Sequence, residues 1–284
     1  MNFRIGLALW GYKDWVGELF PPKSRSTHFL KLYGQRFATV EGNTTFYSVP
    51  DAETVQRWVA ETPPEFRFCP KLPRAITHQG ELMPQMEAAL AFLERMEGLG
   101  DRLGTIFAQL PPAYSPQQID DLAAFVKAWP GDRAPLALEV RHLDWFREDF
   151  RLELTLLLSQ TGTGRVILDT RPIYDCPDDP QVASERKKPR LPVQPIATSD
   201  ICLVRYISHP DPDLNVMYMQ EWTAQIASWL EQGKQVYFFV HCPLEERSPT
   251  NAQQVQTYLE KAGVDVPPLP WNTLEPPPSQ LSLF

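Results

Sequence analysis

Short runs of β-branched and aromatic residues alternate with longer segments of helical period along almost the whole chain. That alternation limits the fold more than any other feature, because it is the pattern of β-α units laid on a parallel sheet. The strand candidates are Ile5 to Leu9, Thr39 to Gly42, Phe66 to Leu72, Thr105 to Leu110, Leu136 to Val140, Val166 to Asp169, Ile201 to Tyr206 and Val236 to Val240. Helical period covers Thr27 to Phe37, Ala52 to Glu61, Gln85 to Leu99, Pro116 to Trp129, Glu148 to Gln160, Met219 to Glu231 and Thr250 to Lys261. About eight such units favour a closed barrel over an open doubly wound sheet, which would carry a Gly-rich phosphate loop after its first strand. No G-x-G-x-x-G is present, and Gly6 and Gly11 are the only glycines near that strand. The fold class expected is therefore α/β, a single-domain TIM-type (β/α)8 barrel over residues 1–263. A long loop follows strand 6, and a Pro-rich tail occupies 264–284.

At 284 residues and 43% hydrophobic composition the chain can bury a full core. No stretch approaches membrane-spanning length, and the N-terminus runs into the apolar residues from Ile5 to Trp10 without the pattern of a cleavable leader. Cys69, Cys176, Cys202 and Cys242 stand far apart with no C-x-x-C pair, which disfavours a zinc knuckle or a disulfide scaffold. Free thiols in a reducing cytoplasm are the expectation. A net charge of −8 repels polyanions at long range, so any nucleic-acid contact must come from a local patch.

Two segments break the alternation. The crossover from Asp169 to Ile201 is long and Pro-rich, with Arg186-Lys187-Lys188 and Arg190 in its middle. It reads either as a solvated insertion with a single helical turn or as a lid. After Lys261 the helical pattern ends in Val266-Pro267-Pro268-Leu269-Pro270 and Pro276-Pro277-Pro278, the composition of an extended linker.

Strand parity locates the polar groups. In a barrel alternate residues face the interior and the others pack on helices, so the outward set should be apolar. On that test Glu41, Lys71, Glu139, Arg141, Asp169, Arg205 and His241 face inward at the C-terminal ends of their strands, with Val166 and Leu168 outward on the sixth. The C-terminal face is where barrels build their sites. The first six of these charges balance, so the plain alternative is a ring that neutralises itself and closes the mouth. Further polar and aromatic groups follow the same strands: Trp10, Tyr12, Asn43, Tyr47, Arg74, His78, Gln109, His142 and Trp145. Glu41, Lys71, Glu139, Asp169 and His241 are the catalytic candidates, the three carboxylates as acids, bases or metal ligands and His241 as a hydrogen-bonding or proton-transfer group. Lys71, Arg74, Arg141 and Arg205 offer the charges that hold a phosphate or carboxylate, and Trp10, Tyr12, Tyr47 and Trp145 offer faces for stacking.

These residues resemble the YecE-like proteins, the family catalogued as domain of unknown function 72. The resemblance spans Ile5 to about Ala262. It rests on Gly6 to Tyr12, on Val40-Glu41-Gly42-Asn43-Thr44-Thr45-Phe46-Tyr47, and on Lys71-Leu72-Pro73-Arg74-Ala75-Ile76-Thr77-His78. Gln109-Leu110-Pro111-Pro112, Glu139-Val140-Arg141-His142 with Trp145, and Asn251-Ala252 complete it. It implies a TIM-like barrel and brings no established reaction. The chain departs from the family pattern at Leu7, Ala8 and Leu9, where small hydroxyl residues are usual, and at Val240 and His241, where a pair of asparagines is usual.

Three functions are consistent with this reading. One is an enzyme or binding barrel acting on an anionic, phosphate-containing small molecule or nucleic-acid fragment. A second is a divalent-metal-dependent phosphodiesterase or nuclease with ligands among Glu41, His78, Glu139, His142, Asp169 and His241, although no H-x-H or H-E-x-x-H spacing supports it. The third is a non-enzymatic adaptor. The terminal Gln280-Leu281-Ser282-Leu283-Phe284 resembles the short peptide with which bacterial replication and repair proteins dock on the sliding clamp, and the Pro-rich spacer before it suits tethering. Cofactor and metal identity stay open at this point.

Overall fold

A computed structural model of the chain describes residues 2–182 and 187–273. Eight parallel strands form the sheet: β1 (Phe3–Leu7), β2 (Thr39–Gly42), β3 (Arg67–Pro70), β4 (Ile106–Gln109), β5 (Leu136–Glu139), β6 (Gly164–Asp169), β7 (Ile201–Ile207) and β8 (Gln235–His241). Their hydrogen-bonded order is β3-β2-β1-β8-β7-β6-β5-β4. The β3–β4 seam is closed by the bridges Phe68↔Leu103 and Lys71↔Phe107, with Gly104 N donating to Phe68 O at 2.7 Å and Leu72 N to Phe107 O at 2.8 Å. The ladder is thin there for a local reason. Arg67 and Lys71 turn their N–H groups toward β2 and Leu72 toward β4, so by alternation Pro70 faces the seam where its missing N–H removes a rung.

The helices are α1 (Phe29–Gly34), α2 (Thr44–Tyr47), α3 (Ala52–Glu61), α4 (Arg74–Thr77), α5 (Met86–Glu97), α6 (Ile119–Ala128), α7 (Glu148–Thr161), α8 (Val216–Glu231) and α9 (Ser248–Lys261). The strand-helix alternation read from the sequence is thus the architecture, a TIM-type barrel. Among the described residues no α-helix lies between β6 and β7; that crossover holds one 3-10 turn, Arg171–Ile173.

Alternation along the strands sorts side chains into two cores. Leu7, Val40, Phe68, Leu138, Val204, Tyr206, Phe238 and Val240 join the large cluster between sheet and helices. Cys69, Phe107, Ala137, Val166, Leu203, Tyr237 and Phe239 fill the barrel interior. Two residues further along, the inward position becomes Lys71, Gln109, Glu139, Arg205 and His241, with Glu41 at the same level on β2. The step from an apolar plug to a polar layer therefore follows from the period of two.

Two devices fix the β1–β2 contact. Tyr33 on α1 is fully buried, and its hydroxyl accepts from Leu7 N at 2.8 Å while donating to Thr39 O at 2.9 Å. At Gly6 a Cβ would lie 2.0 Å from Thr39 O, so only glycine lets the strands meet. The C-terminal segment does not leave the barrel at 264 as a linker would. Leu269 is buried, Gln256 Nε2 donates to Pro267 O at 2.9 Å, and Trp271 packs edge-on against Phe37.

Candidate functional site

The floor of the mouth is one connected ion network. Arg205 on β7 forks onto Glu41 on β2, Nε to Oε2 and Nη2 to Oε1, both at 2.9 Å, and sends Nη1 to Glu139 Oε2 at 2.7 Å. Glu139 also accepts from Arg141 Nε at 2.6 Å and Gln109 Nε2 at 2.9 Å. Glu41, Glu139 and Arg205 are buried, and an unpaired charge at that depth would cost several kcal/mol, roughly. Burial pushes the Glu41 carboxyl upward, but Arg205 and then His241 outweigh it and hold it well below the ordinary range. Glu139 is settled the same way by Arg205 and Arg141, at about 2. Burial lowers His241, so its ring is neutral at pH 7 and Nε2 carries the proton donated to Glu41 Oε2 at 2.8 Å.

Lys71 is placed differently. Its Nζ donates to Gln109 Oε1 at 2.9 Å and Asn43 Oδ1 at 3.4 Å, and sits 4.2 Å from the centre of the Phe46 ring. Among the described residues no carboxylate lies within ion-pair distance of it. Burial, with Arg205 adding repulsion, brings its amine down to about 7. The β2–α2 turn holds it there: Thr45 Oγ1 is 2.6 Å from Lys71 O and 2.8 Å from Gly42 O, and Lys71 N returns a bond to the same hydroxyl at 2.9 Å. The turn is steadied in turn by Asn43 Nδ2, which donates to Ala8 O at 3.0 Å.

Above this floor opens a pocket of about 430 Å³, lined by Ala8, Leu9, Asn43, Phe46, Tyr47, Lys71, Arg74, His78, Gln109, Arg141, Lys187, Lys188, Pro189, Arg205, His241 and Glu245. The basic crossover supplies part of its wall. Thr170 Oγ1 donates to Pro189 O at 3.1 Å, the Tyr174 hydroxyl bonds the Lys188 carbonyl, and Lys188 N donates to Gln181 Oε1 at 2.7 Å. These bonds hold Lys188 and Pro189 at the pocket wall. Burial pulls Lys188 down to about 8 and pushes Glu245 up to about 8. A larger groove of about 730 Å³ lies at the opposite end, around Asn2, Leu230, Val264 and Pro267. Its charged lining is Glu231 and Asp265 alone, so it lacks the convergence of groups that marks the mouth.

Of the residues singled out from sequence, Asn43, Tyr47, Lys71, Arg74, His78, Gln109, Arg141, Arg205 and His241 line the pocket, with Glu41 and Glu139 in the floor network. Asp169 is a correction. Its Oδ2 accepts from Trp222 Nε1 on α8 and from Arg171 Nη2, both at 2.8 Å, so it faces the helices. Val166 and Leu168 point inward instead: Val166 joins the interior plug, and Leu168 packs on Ile173, Leu191 and Ile207. The run Val166-Ile167-Leu168 is apolar on both faces, so parity had no contrast to read. Trp10 packs against Trp58 and Phe68 on the helix side, and Trp145 is fully buried with Nε1 bonded to Tyr114 O at 2.9 Å. Tyr12 lies edge-on to Trp15, and His142 accepts from Asp144 N at 3.2 Å. None of these four lines the pocket. Phe46, Lys187, Lys188 and Glu245 belong to it without having been chosen. The basic cluster was the signal for the lysines; Glu245 had none. Gln280, Leu281, Ser282, Leu283 and Phe284 lie outside the described residues.

Metal-donor spacing does not converge on the mouth. Among the described residues the one grouping of His, Cys, Asp and Glu close enough to share an ion is Cys176, Asp178 and His209. His209 Nδ1 accepts from Asp211 N at 2.9 Å, which leaves the ring proton on Nε2, where it bonds Asp178 Oδ1 at 3.0 Å. A metal ligand has the opposite arrangement, with the remote nitrogen donating.

The model of the family described as "Protein of unknown function DUF72" matches residues 4–274. The chain is 33% identical to UPF0759 protein YecE of Escherichia coli K12 over 283 residues, 99% of each sequence. It is 29% identical to UPF0759 protein YunF of Bacillus subtilis over 186 residues, 63% of this chain and 61% of that one. In structure it is similar to a DUF72 family protein from Enterococcus faecalis, with TM-score 0.68 at 19% identity over 91% of this chain and 95% of the other. A DUF72 family protein from Thermotoga maritima gives 0.64 at 19% identity over 92% and 100%. This chain belongs to the DUF72 family.

Proposed function

We propose that the barrel mouth binds an anionic, phosphate-containing small molecule or nucleic-acid fragment. The observation that carries this reading is the basic character of the pocket lining: the guanidinium groups of Arg74, Arg141 and Arg205 and the amines of Lys71, Lys187 and Lys188, with Glu245 the one acidic residue among them. Moving Asp169 out of the ring upsets the balance that made self-neutralisation attractive. Glu41 and Glu139 are consumed by Arg205 and Arg141, while Arg74 and Lys188 have no ion-pair partner among the described residues. Guanidinium forks and ammonium groups with unfilled donors are what phosphate oxygens recognise. A metal-dependent phosphodiesterase is supported less well, because the oxygens of both floor carboxylates already accept short bonds from the protein.

Calorimetric titration with inorganic pyrophosphate tests the reading. Wild type should bind, more weakly as salt rises, and Arg74→Ala and Arg141→Ala should each lose about tenfold in affinity. Arg74 is exposed, so its removal leaves the floor network intact. Equal, negligible heats for all three proteins would refute anion binding.

We also propose, from the sequence of the tail, that Gln280 to Phe284 dock on a bacterial sliding clamp, with Leu281, Leu283 and Phe284 as apolar anchors and Gln280 as a polar contact. With or without turnover at the mouth, this would bring the barrel to DNA replication or repair, as an adaptor in the second case. Fluorescence anisotropy of the labelled tail peptide with purified clamp tests it; failure of unlabelled peptide to compete would reject specific docking.

A further inference from the structure

We propose that Lys71 is an amine nucleophile that condenses with the carbonyl carbon of a phosphorylated aldehyde or ketone seated in the mouth. The inference rests on the anion-binding reading and deepens it by naming the substrate class. Lys71 is 5% exposed and lines the pocket, so it is shielded from bulk water yet open to a ligand. A lysine serving only as counter-ion would touch Glu139. Here the Gln109 amide stands between them, Nε2 donating to Glu139 Oε1 and Oε1 accepting from Lys71 Nζ, both at 2.9 Å.

Amide oxygens serve a neutral amine as well as an ammonium. Gln109 and Asn43 supply two acceptors, which fix two N–H bonds and leave the third position of Nζ for a lone pair. Arg205 and Arg141 repel the charged form, while Glu41 and Glu139 favour it. The Phe46 face also favours the cation. Burial is the larger influence, and the resulting value of about 7 leaves a substantial neutral fraction at physiological pH.

The reaction balances without a redox partner. The Nζ lone pair bonds the carbonyl carbon and the C=O π pair moves to oxygen, giving a carbinolamine after proton transfer. The C–O bond then breaks, the oxygen leaves as water with the two former Nζ protons, and a C=N bond to Lys71 remains. Arg74 and Lys188, in the same lining, are the charges available for the phosphate.

The test uses the full-length protein, glyceraldehyde 3-phosphate as probe, and cyanoborohydride, which delivers hydride to the imine and fixes it as a secondary amine for peptide mapping by mass. Lys71 should be labelled about tenfold faster than any other lysine, and inorganic phosphate should suppress the labelling. Glyceraldehyde without phosphate should label it about tenfold more slowly. Lys71 labelled no faster than surface lysines, or equally by both aldehydes, would overturn the proposal. Calorimetry with inorganic phosphate on the same sample separates the two claims. Binding with Lys71 unlabelled overturns the imine alone, and absence of both overturns the anion reading as well.

Discussion

Replacing Arg205 by leucine tests the network that shapes the mouth. The substitution removes three charge-assisted bonds at once, two to Glu41 and one to Glu139. Glu41 would keep only His241, and Glu139 would keep Arg141 and Gln109. Hydrogen bonds to charged groups contribute about 1.5–3 kcal/mol each, but members of one network do not add. Breaking a buried pair by removing one partner costs about 3–5 kcal/mol, and the remaining partners place this case near the middle, ~4 kcal/mol at pH 7.5. In a chain of this size that lowers Tm by roughly 7 °C. The pH dependence carries the sign. In wild type the Glu139 carboxyl is depressed to about 2 from an ordinary 4.5, so its stabilising share is full above 4.5 and is lost as pH falls through about 2. In Arg205→Leu the same buried carboxylates lack their main counter-ion, and protonation relieves them. The gap between the two proteins in urea denaturation should therefore narrow from pH 7.5 to pH 5. A gap under about 1 kcal/mol, or one that widens on acidification, would refute the argument.

Gly6→Ala should cost about 3 kcal/mol or prevent folding, because the new Cβ meets Thr39 O at 2.0 Å; a thermal midpoint within a degree or so of wild type would contradict the close strand approach. Asp169→Asn should destabilise by about 2 kcal/mol through the Arg171 and Trp222 anchors while leaving pyrophosphate affinity unchanged, and lost affinity with intact stability would return Asp169 to the mouth. Lys71→Met should flatten stability against pH. The folded amine at about 7 lies below its ordinary 10.5, so the unfolded chain binds more protons between those values and wild type gains on the order of 5 kcal/mol as pH rises through that window. Equal slopes for the two proteins would show that Lys71 is not held neutral by its surroundings.

Much of this architecture is legible from residues alone, for reasons that differ by element. Ala52–Glu61 begins where Asp51 caps Thr54 N at 2.8 Å, and its amphipathic period has no competitor, so its limits follow directly. On β2, β5, β7 and β8 one acidic or basic residue stands in an otherwise uncharged strand, and Glu41, Glu139, Arg205 and His241 each mark the inward parity. On β6 the terminal carboxylate, Asp169, is anchored on the helix side by Trp222 and Arg171, so taking it as inward reverses the parity of the strand. Trp10 and Trp145 show a second limit: an aromatic just past a strand end has no period to say whether it bends to the mouth or back to the helices. Glu245 and Phe46 show a third. Their place at the mouth depends on where loops from distant parts of the chain converge, and no local pattern encodes that convergence.

The most direct measurement is a crystal structure grown with tungstate, a tetrahedral dianion whose anomalous signal fixes its position. An anomalous peak is expected in the pocket within hydrogen-bond distance of Arg74, Arg141 or Lys188, above the intact Glu41–Arg205–Glu139 floor. Tungstate bound elsewhere on the protein with the mouth left to water would contradict it.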